Sequence, residues 1–555
     1  MKKKRNTSLF PLLLLMLGCA EPQHEHNIGV IPKPESLKAT NAGFQITSET
    51  KILARAEDSE ALRIAGMLSQ KLETAAGFNT TAAAAADHPS NNAILFASSV
   101  ADTSLGDEGY RIVVTDQLVT INAAKPAGWF YGMKTLLQLL PAEIESLQLV
   151  KGIAWTIPGV EITDKPRFKW RGMHLDVSRH FIPLDFIKKY IDYLAAHKLN
   201  TFHWHLTDDQ GWRLEIKQYP LLTKIGAWRK ESMINTNDKS IPLSYDNTPH
   251  GGFYTQDEVR EIVQYAKDRF INVVPEIEMP GHAIAAIASY PELGVTGKKI
   301  DVATRWDIVF PDIFNVRDST FRFLENVLAE VMDIFPSQYI HIGGDEVIKD
   351  QWQASEEIQQ KIRQLSLKDE HELQSYFVKH IERFINSKGR KMIGWEEILQ
   401  GGLAPNATLM SWRGIEGGIT AAKSGHDVVM TPIQYLYFWT YQGNRRVEPM
   451  AAAKGYITLE KVYEFEPVPS ELTVEEAKHI LGAQACAWTE YMEDPGKVEY
   501  MVFPRMSALA EIVWSPQKVR NWKDFSERMD KQFKRYYYMG INYAKVPLDI
   551  GTKED

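Results

Sequence analysis

Between about residues 166 and 515 the chain alternates short apolar runs with stretches of helical periodicity. This alternation constrains the fold more than any other feature of the sequence. The runs fall at 172–177, 201–206, 272–277, 339–342, 391–395, 408–412, 427–430 and 480–488, which makes eight. Helical patterns lie between several of them, at 183–197, 255–269, 318–334, 371–388 and 415–424. Short apolar runs bounded by turn residues read as strands buried on both faces. Strand and helix in repeated alternation predict an α/β protein built on a (β/α)8 TIM barrel. An open doubly wound sheet would need a glycine-rich phosphate loop near its first strand, and none is present there.

Residues 28–165 predict a smaller α/β domain with a β-sheet ahead of the barrel. Ile28 to Ile31 read as a short strand entering the turn at Pro32-Lys33-Pro34. Residues 53–76 carry an amphipathic helical pattern, 82–86 read as a loop, 93–96 and 110–114 as strands, and 128–140 as a helix that follows Pro126. Residues 516–555 form a C-terminal segment whose helical part, rich in aromatic residues, is expected to pack on the barrel or on the first domain.

The first 18 residues read as an export signal. Lys2, Lys3, Lys4 and Arg5 form a basic start, residues 9–17 are an apolar stretch too short to span a bilayer, and Gly18-Cys19 follows. A small residue directly before a cysteine resembles a bacterial lipoprotein processing site. That predicts acylation of Cys19, a polar tether over 19–27, and a lipid anchor that holds the exported protein at a membrane of the cell envelope. Cys486 is the one other cysteine, so an acylated Cys19 leaves no intrachain disulfide. The formal net charge of −8 over 555 residues, with no long basic run after the start, argues against a nucleic-acid partner. The oligomeric state stays open.

If the barrel reading holds, catalysis belongs at the C-terminal ends of the strands. Acidic and histidine side chains gather there: Asp176, Asp208, Asp209, Glu278, His282, Asp345, Glu346, Glu396 and Glu490. The run 339–346 ends a strand in two glycines and two acids. Adjacent carboxylates repel when both are ionised, so one pKa should rise and let that residue donate a proton near neutral pH. The alternative is a solvated acidic loop, and spacing alone leaves both readings open. His203 and His205 share one face of a strand with acids nearby, which is also a metal-ligand pattern.

The string His-Ile-Gly-Gly-Asp-Glu at 341–346 resembles the signature of glycoside hydrolase family 20, the β-N-acetylhexosaminidases. Further motifs follow the family's order at 171–180, 202–213, 276–282, 394–397 and 488–490. The resemblance covers about 166–515, and residues 30–165 resemble the small domain that precedes the family's barrel. It implies exo-acting hydrolysis of terminal non-reducing β-linked N-acetylhexosamine, GlcNAc or possibly GalNAc, from an oligosaccharide or glycoconjugate. It implies no cofactor and no metal, and it accounts for His203 and His205 as scaffold. The mechanism it implies is substrate-assisted: the sugar's own 2-acetamido oxygen is the nucleophile and an oxazolinium ion the intermediate.

On this resemblance Glu346 is the general acid/base and Asp345 holds the acetamido N–H. His282 with Asp208 or Asp209 supports the acid, and the sequence does not separate the two aspartates well. Arg171 is expected to grip sugar hydroxyls with its planar fork, unless it closes an ion pair with Asp176 or Glu490. Glu490 is expected to accept a sugar hydroxyl. Trp395, Trp412 and Trp488 are expected to wall the acetamido group and the ring, and Tyr437 to bond the acetamido oxygen. Trp439 is a departure, because many relatives have an aspartate there. Either the site takes a differently substituted sugar, such as one with an anionic group on C6, or the loop shifts and Trp439 packs away. Glu278 stands where the family often has aspartate and is expected to brace its loop.

Overall fold

A computed structural model of the chain describes residues 28–55, 58–85, 91–99, 102–235 and 241–545. The signal, the tether and Cys19 lie outside these residues. Eight parallel strands close a barrel: Trp170–Asp176, Thr201–His205, Asn272–Glu276, Tyr339–His341, Lys391–Trp395, Thr408–Ser411, Val428–Met430 and Ile480–Ala487. Each coincides with one of the eight apolar runs. The first strand pairs with both the second and the eighth, which closes the ring. The helices Leu184–Ala196, Gln256–Lys267, Asp318–Ile334, Glu370–Ser387 and Glu416–Lys423 lie between successive strands. Each turns an apolar stripe inward, as in Asp318–Ile334, which buries Phe321, Leu324, Val327, Leu328 and Val331. Among the described residues no helix is long and apolar enough to cross a membrane.

The first domain is a seven-stranded mixed sheet. Its spatial order is Ser36–Gln45, Thr156–Asp164, Tyr110–Val114, Leu118–Ala123, Ala93–Ser98, Lys51–Arg55 and Ala82–Ala85. The helices Ser59–Ala76 and Pro126–Leu139 accompany it. Four local expectations change here. Residues 28–31 are not a strand: the Gln138 side chain takes the place of a ladder partner, accepting from Ile31 N at 2.8 Å and donating to Ile31 O at 2.6 Å. The helical pattern at 53–76 divides, because Ile52 and Ala54 alternate inward as a strand before the helix opens at Ser59. The alanines 82–85 form an edge strand parallel to Lys51–Arg55, since four alanines carry no period of their own and pairing decides. The later helix starts on Pro126 itself, whose missing N–H costs nothing in the first turn.

The C-terminal helix Trp522–Met539 ties the two domains together rather than covering the barrel alone. Arg535 donates to the carbonyls of Leu137, Gln138 and Leu140 at its N-domain end. Arg528 reaches Val30 O and the buried Glu511 carboxylate. The Arg535 contacts cap carbonyls at the end of the helix Pro126–Leu139 that would otherwise be orphaned.

Candidate active site

The fourth barrel strand ends at His341, and the chain then turns through Gly343 and Gly344, with φ of 65° and 94°. Gly343 is required in place, since a Cβ there would lie 1.6 Å from Glu278 Oε2. Glu278 is buried against this loop and braces it from the third strand's end. Glu346 itself has φ of 48°, in the left-handed region that few side-chain-bearing residues adopt. The turn brings Asp345 and Glu346 to one side, in reach of the same histidine.

That histidine is His282. Its Nδ1 lies 3.2 Å from Asp208 Oδ1 and 3.1 Å from Asp209 Oδ2, while its Nε2 lies 3.4 Å from Glu346 Oε2 and 3.7 Å from Asp345 Oδ2. Both aspartates that the sequence left unseparated therefore hold the ring. Asp208 is the more connected: it also receives Arg179 at 2.8 Å and His205 at 2.9 Å. Burial opposes a charge on His282, but the Asp208 carboxylate and the surrounding hydrogen bonds win and hold its pKa well above the usual value.

The two adjacent carboxylates respond in opposite directions. Burial, reinforced by Glu397 and Glu346, pushes Asp345 well above the usual carboxylate range despite His282. Burial also acts to raise Glu346, but the hydrogen bond and charge of His282 outweigh it and the pKa falls. In the free site the raised group is thus Asp345 and not the expected proton donor. Two differences decide this: His282 stands nearer Glu346, and Asp345 lies deeper, its side chain 14% exposed against 38% for Glu346.

Arg171 does not reach this site. Its guanidinium is fully buried and forms a fork onto Glu108 of the first domain at 3.0 and 2.6 Å. It also donates to Phe168 O and Lys198 O and lies over the rings of Tyr131 and Trp514. Arg171 is the second residue of its strand, so it sits at the N-terminal face, where it clamps the domains together. Arg179, three residues beyond that strand's end, occupies the position expected of Arg171. It bonds Gln210 and Asp176 at 3.0 and 3.3 Å, and it stacks 5.1 Å from the centre of the Trp488 ring. Sequence reasoning passed over Arg179, although the rule that barrel sites lie at C-terminal strand ends singles it out.

Glu490 follows the eighth strand and is buried, with Oε2 lacking a hydrogen-bond partner among the described residues. Burial pushes its pKa up to about 7 against the attraction of Arg179. An acceptor left unpaired at this depth suits a ligand hydroxyl. Trp395, Trp488, Tyr437, Trp412 and Trp439 join in one aromatic group. Trp395 and Trp488 lie 5.9 Å apart, Tyr437 stacks 6.0 Å from Trp412, and Trp439 meets Tyr437 edge-on at 5.5 Å. Trp395 is anchored by its indole N–H to Glu276 at 2.8 Å, and Trp412 by its own to Glu397 at 3.0 Å. Trp439 therefore lies with the site's aromatics and is not packed away from them. Glu396 is turned aside, paired with Arg413 and Ser411. A cavity of about 700 Å³ elsewhere, between Phe130, Lys134 and Tyr265, involves none of these groups.

Residues 168–517 match the model of the glycosyl hydrolase family 20 catalytic domain, and residues 27–165 match that family's domain 2. The chain is 44% identical over 544 residues to a β-hexosaminidase of Porphyromonas gingivalis, covering 97% of this chain and 67% of that one. It superposes on the family 20 β-N-acetylhexosaminidase of Streptomyces coelicolor with a TM-score of 0.81 at 31% identity, over 95% of this chain and 99% of that one. It superposes equally well, with a TM-score of 0.81 at 33% identity, on an exo-β-N-acetylglucosaminidase of Vibrio harveyi in complex with N-acetylglucosamine, over 94% of this chain and 79% of that one. The chain belongs to glycosyl hydrolase family 20, with the family's domain 2 and catalytic domain in that order.

Proposed function

We propose that this β-N-acetylhexosaminidase releases terminal β-linked N-acetylhexosamine from the non-reducing end of a glycan with retention, and that Glu346 and Asp345 divide the chemistry. The observation that carries this reading is the position of His282, whose Nε2 is in contact with both carboxylates. Reaction needs Glu346 protonated and Asp345 ionised, the reverse of the free site. A bound sugar reverses them. It strips water from Glu346, which favours the neutral acid, and its acetamido N–H bonds Asp345, which favours the carboxylate. His282 supplies the path: it gives its Nε2 proton to Glu346 and takes the proton of Asp345.

Glu346 then protonates the glycosidic oxygen as the C1–O bond breaks. The acetamido oxygen attacks C1 from the opposite face and forms the oxazolinium ion, whose positive charge Asp345 steadies. Water enters on the face the leaving group vacated, Glu346 removes its proton, and opening of the ring restores the acetamide with the original configuration. Trp395, Trp412, Trp488 and Tyr437 confine the acetamide, and fixed orientation of this internal nucleophile supplies much of the rate. Arg179 and the unpaired Glu490 oxygen serve as hydroxyl partners.

Trp439 bears on which sugar is taken. Its indole N–H is buried and has no hydrogen-bond partner among the described residues, so this side of the site offers a donor and an apolar face where many relatives offer an acceptor. That favours a sugar carrying an oxygen-rich, anionic substituent on C6. We further propose that the chain is exported and anchored through acylated Cys19; loss of membrane association in Cys19→Ala tests this.

A panel of p-nitrophenyl β-glycosides of GlcNAc, GalNAc, glucose and 6-sulfo-GlcNAc tests the main reading. Both N-acetylated sugars should outpace glucose, and Glu346→Gln and Asp345→Asn should each lose about a hundredfold or more in kcat. Equal turnover of the simple glucoside would overturn the reading. Failure to turn over the sulfated sugar would remove only the part concerning Trp439.

A further inference from the structure

Behind the reaction centre runs a chain of alternating carboxylates and imidazoles that ends in the barrel's core. Glu276, on the third strand, places Oε2 2.5 Å from His205 Nδ1; His205 Nε2 lies 2.9 Å from Asp208 Oδ2; Asp208 Oδ1 lies 3.2 Å from His282 Nδ1; and His282 Nε2 lies 3.4 Å from Glu346. His205 and Glu276 are fully buried. A neutral imidazole donates through one nitrogen only. With a carboxylate on each nitrogen, His205 satisfies both only as an imidazolium.

Its neighbours leave that charge in place. Gln484 donates to His203 Nδ1 at 2.9 Å, which leaves the His203 proton on Nε2, 3.0 Å from Glu276 Oε2. The Trp395 indole donates to Glu276 Oε1 at 2.8 Å, and His341 Nδ1, which accepts the Gly343 N–H at 3.1 Å, lies 2.8 Å from the same oxygen. The His174 ring lies 5.5 Å from that of His205, and Glu278 Oε1 stands 3.9 Å from Nδ1. Asp176 adds negative charge nearby and Arg179 meets Asp208 from the other side. Consistent with this geometry, burial disfavours a charge on His205, yet Glu276 and Asp208 raise its pKa to about 10. Burial keeps His203 neutral, at about 4.

We infer that Glu276 and His205 are positioning residues for hydrolysis, a buried ion pair that holds Asp208 ionised and aimed at His282 and so sets the proton affinity of Glu346. Glu276 also anchors Trp395, so one carboxylate registers the acetamido wall against the acid. The inference rests on the reading of Glu346 as the acid.

The test compares full-length wild type with His205→Gln, which keeps a polar side chain without the charge. Loss of a cation makes nearby carboxylates hold protons more tightly. The acid limb of the kcat/KM profile should therefore move up by about one pH unit. The kcat at neutral pH should fall about tenfold to a hundredfold, with KM within about twofold, as for other outer partners of catalytic groups. Glu276→Gln withdraws the carboxylate that keeps His205 charged, so its profile should move the same way by a smaller amount, because the lost anion acts against the lost cation, and the double variant should add little. A profile that superimposes on wild type after scaling would overturn the inference. If the variants fail to fold, ¹⁵N-histidine NMR of wild type decides: two imidazolium rings should persist at pH 8, one removed by His282→Gln. Only one persisting ring would equally overturn it. Wild-type turnover of the GlcNAc glycoside and its loss in Glu346→Gln judge the parent reading separately.

Discussion

Arg171 and Arg179 make opposite predictions for the same substitution. Arg171→Met removes a guanidinium that makes five hydrogen bonds, two to Glu108, two to backbone carbonyls and one to Tyr131. Breaking a buried ion pair from one side costs about 3–5 kcal/mol because the partner is stranded. Glu108 keeps 24% side-chain exposure and can recruit water, which lowers the figure to about 3 kcal/mol. At an unfolding entropy of about 2.1 cal/mol/K per residue, a barrel spanning residues 168–517 shifts by about 1.4 °C per kcal/mol, so the unfolding midpoint should drop by about 4 °C. Differential scanning calorimetry measures it, and a cycle with Glu108→Gln should recover much of the loss as coupling. Below the transition, kcat/KM of Arg171→Met should match wild type. Arg179→Met should show the converse, with kcat/KM down by about a hundredfold or more, because it removes both a hydroxyl donor and the Asp208 partner. An Arg171→Met enzyme of unchanged stability but crippled kcat/KM would defeat the domain-clamp assignment.

Glu490 gives a pH-dependent prediction. Its pKa rises on folding from the ordinary 4.5 to about 7, so its contribution to stability is fully present below pH 4.5 and is lost as pH rises through 7. Glu490→Gln should therefore be more stable than wild type above pH 7, by about 3 kcal/mol, and indistinguishable from it near pH 4; urea unfolding at the two pH values checks this. Trp439→Ala should lower kcat/KM for 6-sulfo-GlcNAc glycosides about tenfold more than for the plain glycoside, whereas equal losses would make Trp439 a packing residue. A Gly343→Ala enzyme should lose both stability and turnover, since the added methyl collides with Glu278; retention of full kcat would show that the loop before Asp345 tolerates displacement.

The barrel was legible because its signal is local and repeated. Each strand is a continuous apolar run buried on both faces, and a helix of clear period follows many of them. The acid pair, His282 and the tryptophans were legible because a strand end is a position in the chain as well as in space. What the chain alone left undecided depends on which distant groups meet. Four alanines become a strand only because Lys51–Arg55 offers an unpaired edge. Residues 28–31 lose strand pairing because Gln138, 107 residues away, supplies the bonds. Chain direction alone puts Arg171 at the start of the first strand and Arg179 past its end, but the partner of Arg171, Glu108 of the first domain, appears only in the folded chain. The same holds for charge. Adjacent acids announce that one pKa must rise, but the arrival of His282 from the third strand's end, and the deeper burial of Asp345, decide which one does. Composition and spacing determine what a segment can become, while desolvation and partner geometry, which exist only in the folded chain, determine what each polar group then does.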